Sequence, residues 1–170
     1  MMNDNTNIKI GFVNINGIQS KVDRIKEVME KENIKIMCVV ETWLEKGDNA
    51  GIRPLVVDIR KPRREGMTRG HGGIIVLTKP GLKVKIVETD VNQNWVIIKV
   101  SDFYICCCYF SPTTDEMLVR QFLRKMERRV DNNDQLIICG DFNSRMKHIT
   151  GDSKLCPRGR WMEDCLVTSN

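Results

Sequence analysis

The sequence lacks an apolar run that could cross a membrane, and it is poor in aromatic residues and histidine. Aromatic residues make up 6% of the 170 residues, and there are only two histidines. A spanning helix needs roughly 20 consecutive apolar residues, and the N-terminus has no basic-then-apolar signal pattern. We therefore expect no membrane partner and an intracellular location, compatible with the nucleus.

Two common metal and nucleotide motifs are also missing. None of the seven cysteines has the Cys-x-x-Cys spacing of a zinc site. Cys106, Cys107 and Cys108 are adjacent, and because neighbouring strand residues point to opposite faces they cannot act as one cluster. The cysteines are therefore interpreted as small buried hydrophobic residues in a reducing compartment. No Gly-x-x-x-x-Gly-Lys loop is present, which argues against nucleoside-triphosphate chemistry.

The composition is that of one globular domain, with 41% hydrophobic and 29% charged residues. The net charge of +5 suits a polyanionic partner without requiring one. Much of the positive charge falls in a loop interrupted by proline and glycine. There, contact with phosphate and a merely solvated surface remain equally open. The candidate phosphate-binding residues of this loop are Arg60, Lys61, Arg63, Arg64 and Arg69.

Apolar patterning predicts an α/β fold. Strands are predicted at 8–15, 35–41, 55–59, 73–78, 82–88, 95–100, 103–109 and 135–139. Helices are predicted to follow capping pairs that begin at Ser20 and Thr113, residues 144–160 are predicted to be a loop, and 161–167 a short helix. The order β-α-β, then antiparallel strands, then α-β predicts a mixed sandwich with helices packed on sheets.

Three of the predicted apolar strands end in polar side chains. These are Asn14, Glu41, and the pair Asp141 and Asn143 in Gly-Asp-Phe-Asn. Hard divalent cations such as Mg²⁺ prefer one or two carboxylates together with water and substrate phosphate oxygens. Glu41 suits such a cation, Asp141 could orient or deprotonate a water, and Asn143 could donate to a phosphoryl oxygen. A single acid at a strand end is usually structural, but three coincident ends favour a shared site.

Five segments carry a resemblance to a known family. VNINGIQSK, MCVVETWL, GGIIVLTK, CCYFSPTTD and ICGDFNSRM occur in the order and approximate spacing of the exonuclease–endonuclease–phosphatase superfamily. The sequence most resembles the apurinic-like endonuclease domains of non-LTR retrotransposons. The resemblance implies a four-layered α/β sandwich of mixed sheets flanked by helices. It also implies cleavage of DNA phosphodiesters with Mg²⁺ (or Mn²⁺), and a place in a larger retroelement polyprotein.

The resemblance also implies a role for each matching residue. Asn14 matches an asparagine beside the metal, and Glu41 matches the glutamate that binds it. Tyr109 matches a tyrosine that contacts the scissile phosphate. Asp141 matches the aspartate that positions the nucleophilic water, and Asn143 the asparagine that stabilises the phosphoryl oxygens.

One family motif is missing from the sequence. Relatives end in a Ser-Asp-His motif, whereas the only histidines here, His71 and His148, lie outside such a motif and are predicted to be on the surface. Residues 1–170 are thus expected to form a single domain that is incomplete at its C-terminus. Three functions stay open: a DNA-nicking endonuclease of low activity, a remnant that binds metal or nucleic acid without turnover, and a phosphatase of the same superfamily.

Overall fold

The computed structural model describes residues 7–49, 51–53, 55–62, 65–132 and 135–168. Within these ranges no helix is both long and apolar enough to cross a membrane. The elements in chain order are β1 (Ile10–Asn14), α1 (Val22–Lys31), β2 (Ile36–Val40), β3 (Leu55–Ile59), β4 (Ile74–Thr78), β5 (Val84–Thr89), β6 (Trp95–Val100), β7 (Phe103–Tyr109), α2 (Glu116–Asp131), β8 (Gln135–Asp141), α3 (Lys147–Thr150) and α4 (Pro157–Thr168).

The strands form two mixed sheets, with the orders β1-β2-β4-β3 and β5-β6-β7-β8. One pair in each sheet is parallel, β1 with β2 and β7 with β8. The remaining pairs are antiparallel. Parallel neighbours finish at the same edge of a sheet, so the carboxyl ends of β1 and β2 lie together, as do those of β7 and β8. The predicted sandwich of mixed sheets flanked by helices is confirmed.

The sheets pack face to face around apolar side chains, and a helix covers the outer face of each. Every residue of β2 and β4 is buried, as expected of continuous apolar strands that are covered on both faces. Helix α1 contributes Ile25 and Met29 to the core over the first sheet. Helix α2 contributes Val119, Phe122 and Met126 to the core over the second. The result is four layers: helix, sheet, sheet and helix.

The starts of α1 and α2 differ from the sequence expectation. Helix α1 begins at Val22 and its N-cap residue, Lys21, makes no side-chain capping bond, so the pair that was predicted to begin at Ser20 does not form the cap. Helix α2 is capped by Asp115, whose Oδ1 accepts from the Met117 amide at 2.8 Å. Thr113 instead contacts the Ser111 hydroxyl at 3.1 Å. Asp115, which lies nearer the first turn of α2, is therefore the N-cap residue in place of the predicted Thr113.

The segment predicted to be a loop, 144–160, contains α3 and the first turn of α4. Pro157 opens α4, as proline does at a first helical position, where its missing N–H costs nothing. The Cys156 sulfur accepts from the Gly159 amide at 3.2 Å and supplies the cap. The sequence signal was hidden because cysteine is not among the common capping residues.

The packing predicts unequal costs for two isoleucines that pair across β5 and β6. Ile98 is 1% exposed in the core between the sheets, whereas its partner Ile86 is 46% exposed. Replacing Ile98 with alanine should lower the free energy of unfolding by about 2–5 kcal/mol, because it leaves a cavity. Ile86→Ala, the matched control, should cost about 1 kcal/mol or less. Urea denaturation measures both, and equal losses would contradict the described core.

Candidate active site

Four polar side chains meet where four strands end. Asn14, Tyr109 and Asp141 are the last residues of β1, β7 and β8, and Glu41 follows β2 directly. The Asn14 side-chain amide donates to Asp141 Oδ2 at 2.8 Å. The Tyr109 hydroxyl donates to Glu41 Oε1. Each of these hydrogen bonds joins one sheet to the other, so the two sheets contribute equally to the cluster.

The Glu41 carboxylate is held by three donors. Its Oε2 accepts from Trp43 Nε1 at 2.5 Å and from the Gly72 amide at 3.0 Å, and its Oε1 accepts from Tyr109. A carboxylate has about four lone-pair positions. The remaining position is on Oε1, so this conformation lets Glu41 bind a cation through one oxygen only.

The turn after β8 orients Asp141. Its Oδ1 accepts from the Asn143 backbone amide at 2.8 Å, and the Asn143 side chain donates to the Phe110 carbonyl at 3.1 Å. The Phe110 amide in turn donates to the Asp141 carbonyl at 2.9 Å. These bonds fix Asp141 and Asn143 relative to the end of β7. Both side chains therefore have defined positions beside the Tyr109–Glu41 pair.

Backbone strain is concentrated around the cluster. Glu41 and three non-glycine residues within two positions of a cluster member have φ values in the left-handed region, namely Asn16 (49°), Glu41 (59°), Trp43 (57°) and Asn143 (47°). Such conformations cost about 1–3 kcal/mol each and collect at functional sites.

Arg158 is a residue that the sequence reading did not assign to the site. Its side chain is 9% exposed, and it donates to the carbonyls of Phe142 (2.6 Å), Thr114 (2.7 Å) and Ser111 (3.2 Å). It thereby ties the turn that carries Asp141 and Asn143 to the loop after β7. The available sequence signal was the Arg-Gly-Arg that lies at the start of α4.

The residues of the basic loop have different environments. Arg60 donates to Asp58 Oδ2 (2.6 Å) and to the carbonyls of Glu45 and Asp48 (2.7 Å each), so it ties two loops together. Lys61 donates to Asn94 Oδ1 at 2.7 Å. Arg63 and Arg64 lie outside the described residues.

Arg69, one of the described basic candidates, stands beside the cluster. Its guanidinium lies over the Trp43 ring, 4.7 Å from the centroid, and Trp43 itself donates to Glu41. An arginine stacked on an aromatic ring is held in place while its N–H donors stay available at the edge. This position suits a contact with substrate phosphate next to Glu41.

The two histidines occupy different environments. His148 is exposed on α3, as predicted, but His71 is half-buried. The expectation for His71 is therefore corrected: its neighbour Gly72 exchanges backbone contacts with the Glu41–Trp43 turn, since the Trp43 amide donates to the Gly72 carbonyl at 3.0 Å.

The donor set of the cluster suits a hard cation. Among the described residues no group of three or more His, Cys, Asp or Glu side chains could hold a metal. Magnesium needs no such cage, because it keeps several waters and uses one or two carboxylates together with substrate phosphates. Glu41, with one free lone pair on Oε1, fits that requirement, so the chemistry of the residues present is compatible with Mg²⁺ or Mn²⁺.

The two mixed sheets thus hold Glu41 and Asp141 at the carboxyl ends of their parallel strands. The model of the Endonuclease/Exonuclease/phosphatase family matches residues 11–168. The chain belongs to that family. No curated protein matches the sequence at a significant level.

Solved structures share the fold at low sequence identity. The endonuclease domain of TRAS1, a telomere-specific non-LTR retrotransposon, is 16% identical with a TM-score of 0.63, and the match covers 95% of this chain and 70% of that one. The 3′ phosphatase NExo from Neisseria, bound to a product DNA hairpin, is 13% identical with a TM-score of 0.61, covering 94% and 70%.

An AP endonuclease from Archaeoglobus fulgidus also shares the fold, with 16% identity and a TM-score of 0.56. The match covers 81% of this chain and 58% of that one, so the chain matches little more than half the length of that relative. At these identities the likeness defines the fold, and the chain has the architecture of nucleases and phosphatases.

The contacts of Arg158 predict that it is needed to hold the Asp141 turn. Replacing Arg158 with methionine should lower the free energy of unfolding by about 2–5 kcal/mol, because it leaves three partly buried carbonyl oxygens without this donor. Arg160→Met, on the exposed side of the same helix, should change it by about 0.5 kcal/mol or less. Chemical denaturation compares them, and an equally small loss at Arg158 would contradict its bridging role.

Proposed function

We propose that the chain is a metal-dependent phosphodiesterase that nicks DNA, of the kind found in non-LTR retrotransposons. The observation that carries the proposal is the pair of hydrogen bonds, Asn14 to Asp141 and Tyr109 to Glu41, that brings both carboxylates to one end of the sandwich. Membership of the family supports hydrolysis of a phosphate ester. The proposed DNA substrate and retroelement origin rest on the sequence motifs. They are supported by two structures with the same fold, the TRAS1 endonuclease domain and NExo bound to a DNA hairpin.

In this proposal Glu41 is the ligand of Mg²⁺ or Mn²⁺. Its Oε2 is saturated by Trp43 and Gly72, which leaves Oε1 on the side that faces Tyr109. A bound divalent cation would neutralise negative charge on a phosphate. Tyr109 keeps the carboxylate facing the cluster, and its hydroxyl lies where a scissile phosphate beside Glu41 would be in reach.

Asp141 acts in the proposal as the group that orients and deprotonates a water. Two of its lone pairs are used by Asn14 and by the Asn143 backbone amide, which leaves acceptor positions for a water proton. The Asn143 side-chain nitrogen carries two N–H groups, and Phe110 accepts one of them. The other can donate to a phosphoryl oxygen as negative charge develops.

A plasmid-nicking assay with Mg²⁺ tests the role of Asp141. We expect slow nicking by the unmodified chain, because the sequence has no Ser-Asp-His motif, so protein is used in excess over plasmid. Asp141→Asn should slow nicking by on the order of 10²-fold, since a carboxamide cannot take the water proton. Asp102→Asn is the matched control, because Asp102 is exposed at the turn before β7, at the far end from the cluster.

Equal rates for Asp141→Asn and the unmodified chain would contradict the proposed role of Asp141. Nicking that continues unchanged after removal of divalent metal would contradict the metal dependence. Release of phosphate from a DNA 3′-phosphate, without nicking, would favour a phosphatase in place of an endonuclease. Mg²⁺ binding without either reaction would favour the remnant without turnover.

The position of Arg69 predicts a contact with DNA phosphate. Replacing it with alanine should weaken binding of a duplex oligonucleotide and reduce the slope of log K against log salt by about 0.9, the value for one phosphate contact. Arg124→Ala, on the exposed surface of α2, is the control and should leave the slope unchanged. Fluorescence anisotropy across a salt series measures both, and an unchanged slope for Arg69→Ala would show that its only role is to cover Trp43.

A further inference from the structure

Three cysteine thiols from three strands meet between the sheets. Cys38 lies on β2, Cys107 on β7 and Cys139 on β8, and all three belong to or pack against the core between the two sheets. Cys107 and Cys139 are register partners on neighbouring strands, and Cys38 packs in the same core from the other sheet. Cys106 and Cys108 point to the opposite face, towards α2. The structure thus makes a thiol cluster out of cysteines that are far apart in sequence.

Cys107 and Cys139 are placed to form a disulfide. They are direct partners in the parallel pairing of β7 with β8. Neighbouring strands lie about 4.7–4.9 Å apart, and this spacing falls within the Cα separation of about 4.4–6.8 Å that disulfides require. Cys38 approaches from the other sheet, and sheets that pack face to face are typically about 10 Å apart. The bond is therefore expected within the second sheet.

The cysteines differ in their access to solvent. Cys38 and Cys107 are 0% and 1% exposed, whereas Cys139 is only partly buried on β8, the last strand in the order of its sheet. Cys139 is therefore the most exposed of the three cysteines. In its thiol form Cys139 donates to the Cys106 carbonyl, 3.6 Å away. Hydrogen bonds from Cys107 and then Cys38 lower the pKa of the Cys139 thiol, although burial opposes them.

We propose that Cys139 is a hydroperoxide-reactive cysteine that closes a disulfide with Cys107 directly beneath the candidate active site. The Cys139 thiolate attacks hydrogen peroxide, the O–O bond breaks, and the products are a sulfenic acid and hydroxide. The Cys107 thiol then attacks the sulfenic sulfur, the S–S bond forms, and the oxygen leaves as water. Two thiols are oxidised while one peroxide is reduced to two waters, and Cys38 remains reduced.

The consequence for the site follows from strand geometry and rests on the proposed function. Residues two apart on a strand share a face, so Cys107 lies beneath Tyr109, and Cys139 lies beneath Asp141. Tyr109 and Asp141 are themselves register partners. Joining the two sulfurs would draw the strands together just below that pair and shift the Tyr109–Glu41 and Asn14–Asp141 contacts. Oxidation should therefore slow nicking reversibly.

The test treats the reduced full chain with hydrogen peroxide, alkylates the remaining thiols, and maps cross-linked peptides by mass spectrometry. We expect the peptide that contains Cys139 to be joined to the one that contains Cys106, Cys107 and Cys108, with the loss of two hydrogen atoms. Cys107→Ala and Cys139→Ala should abolish this product. Cys106→Ala and Cys108→Ala, on the opposite face of the same strand, are the matched controls and should retain it.

Thermal unfolding of each variant confirms that the comparison is made between folded proteins. A cross-link that survives Cys107→Ala, or that is lost in both opposite-face controls, would overturn the assignment. Absence of any cross-link to Cys139 in the folded, unmodified chain would overturn it as well. Oxidation of Cys156 alone, the half-buried thiol at the start of α4, would also overturn the assignment of Cys139 as the reactive cysteine.

The effect on the site is measured separately. Peroxide should slow plasmid nicking by the unmodified chain, a thiol reductant should restore it, and Cys107→Ala should be insensitive to both. A cross-link without loss of nicking would refute the effect on the site while leaving the disulfide established. Absence of nicking in the reduced chain would instead contradict the proposed function. It would not bear on the disulfide, because the cross-link is detected by mass spectrometry and not by activity.

Discussion

Two side-chain hydrogen bonds between the sheets join four of the candidate functional groups. Tyr109 donates to Glu41 and Asn14 donates to Asp141, and each bond needs its strands to end at the same level. Parallel pairing of β1 with β2 and of β7 with β8 provides that alignment. A slip of one residue would turn the side chains to the other face of the sheet. The buried core thus fixes the site by fixing the register.

Strands and candidate catalytic residues could be predicted from the sequence because their signals are local. A continuous apolar run such as Ile36–Val40 has few alternatives to a buried strand, and Gly-Asp-Phe-Asn after such a run marks a strand end. Their spatial convergence needed the topology, since periodicity does not say which strands are parallel neighbours. The structure brings Asn14, Glu41, Tyr109 and Asp141 together, while their roles remain predictions.

Features that depend on distant partners could not be predicted. Arg60 had the pattern of a phosphate contact, but Asp58 and two loop carbonyls occupy its guanidinium. Arg158 lay in a segment without periodicity, and its importance comes from carbonyls more than forty residues away as well as from Phe142. The cysteines were interpreted as inert core residues, since adjacency in sequence excluded a cluster along β7 but carried no information about β2 and β8.

The central claim is that Glu41 holds a divalent cation through Oε1 beside Asp141. Its most direct test is a crystal structure of the chain soaked with Mn²⁺ and measured for anomalous scattering. We predict a peak on the Tyr109 side of Glu41, bound to Oε1 alone, while Oε2 keeps its bonds to Trp43 and Gly72. A peak bound elsewhere, or no peak in crystals whose Glu41 is open to solvent, would contradict it.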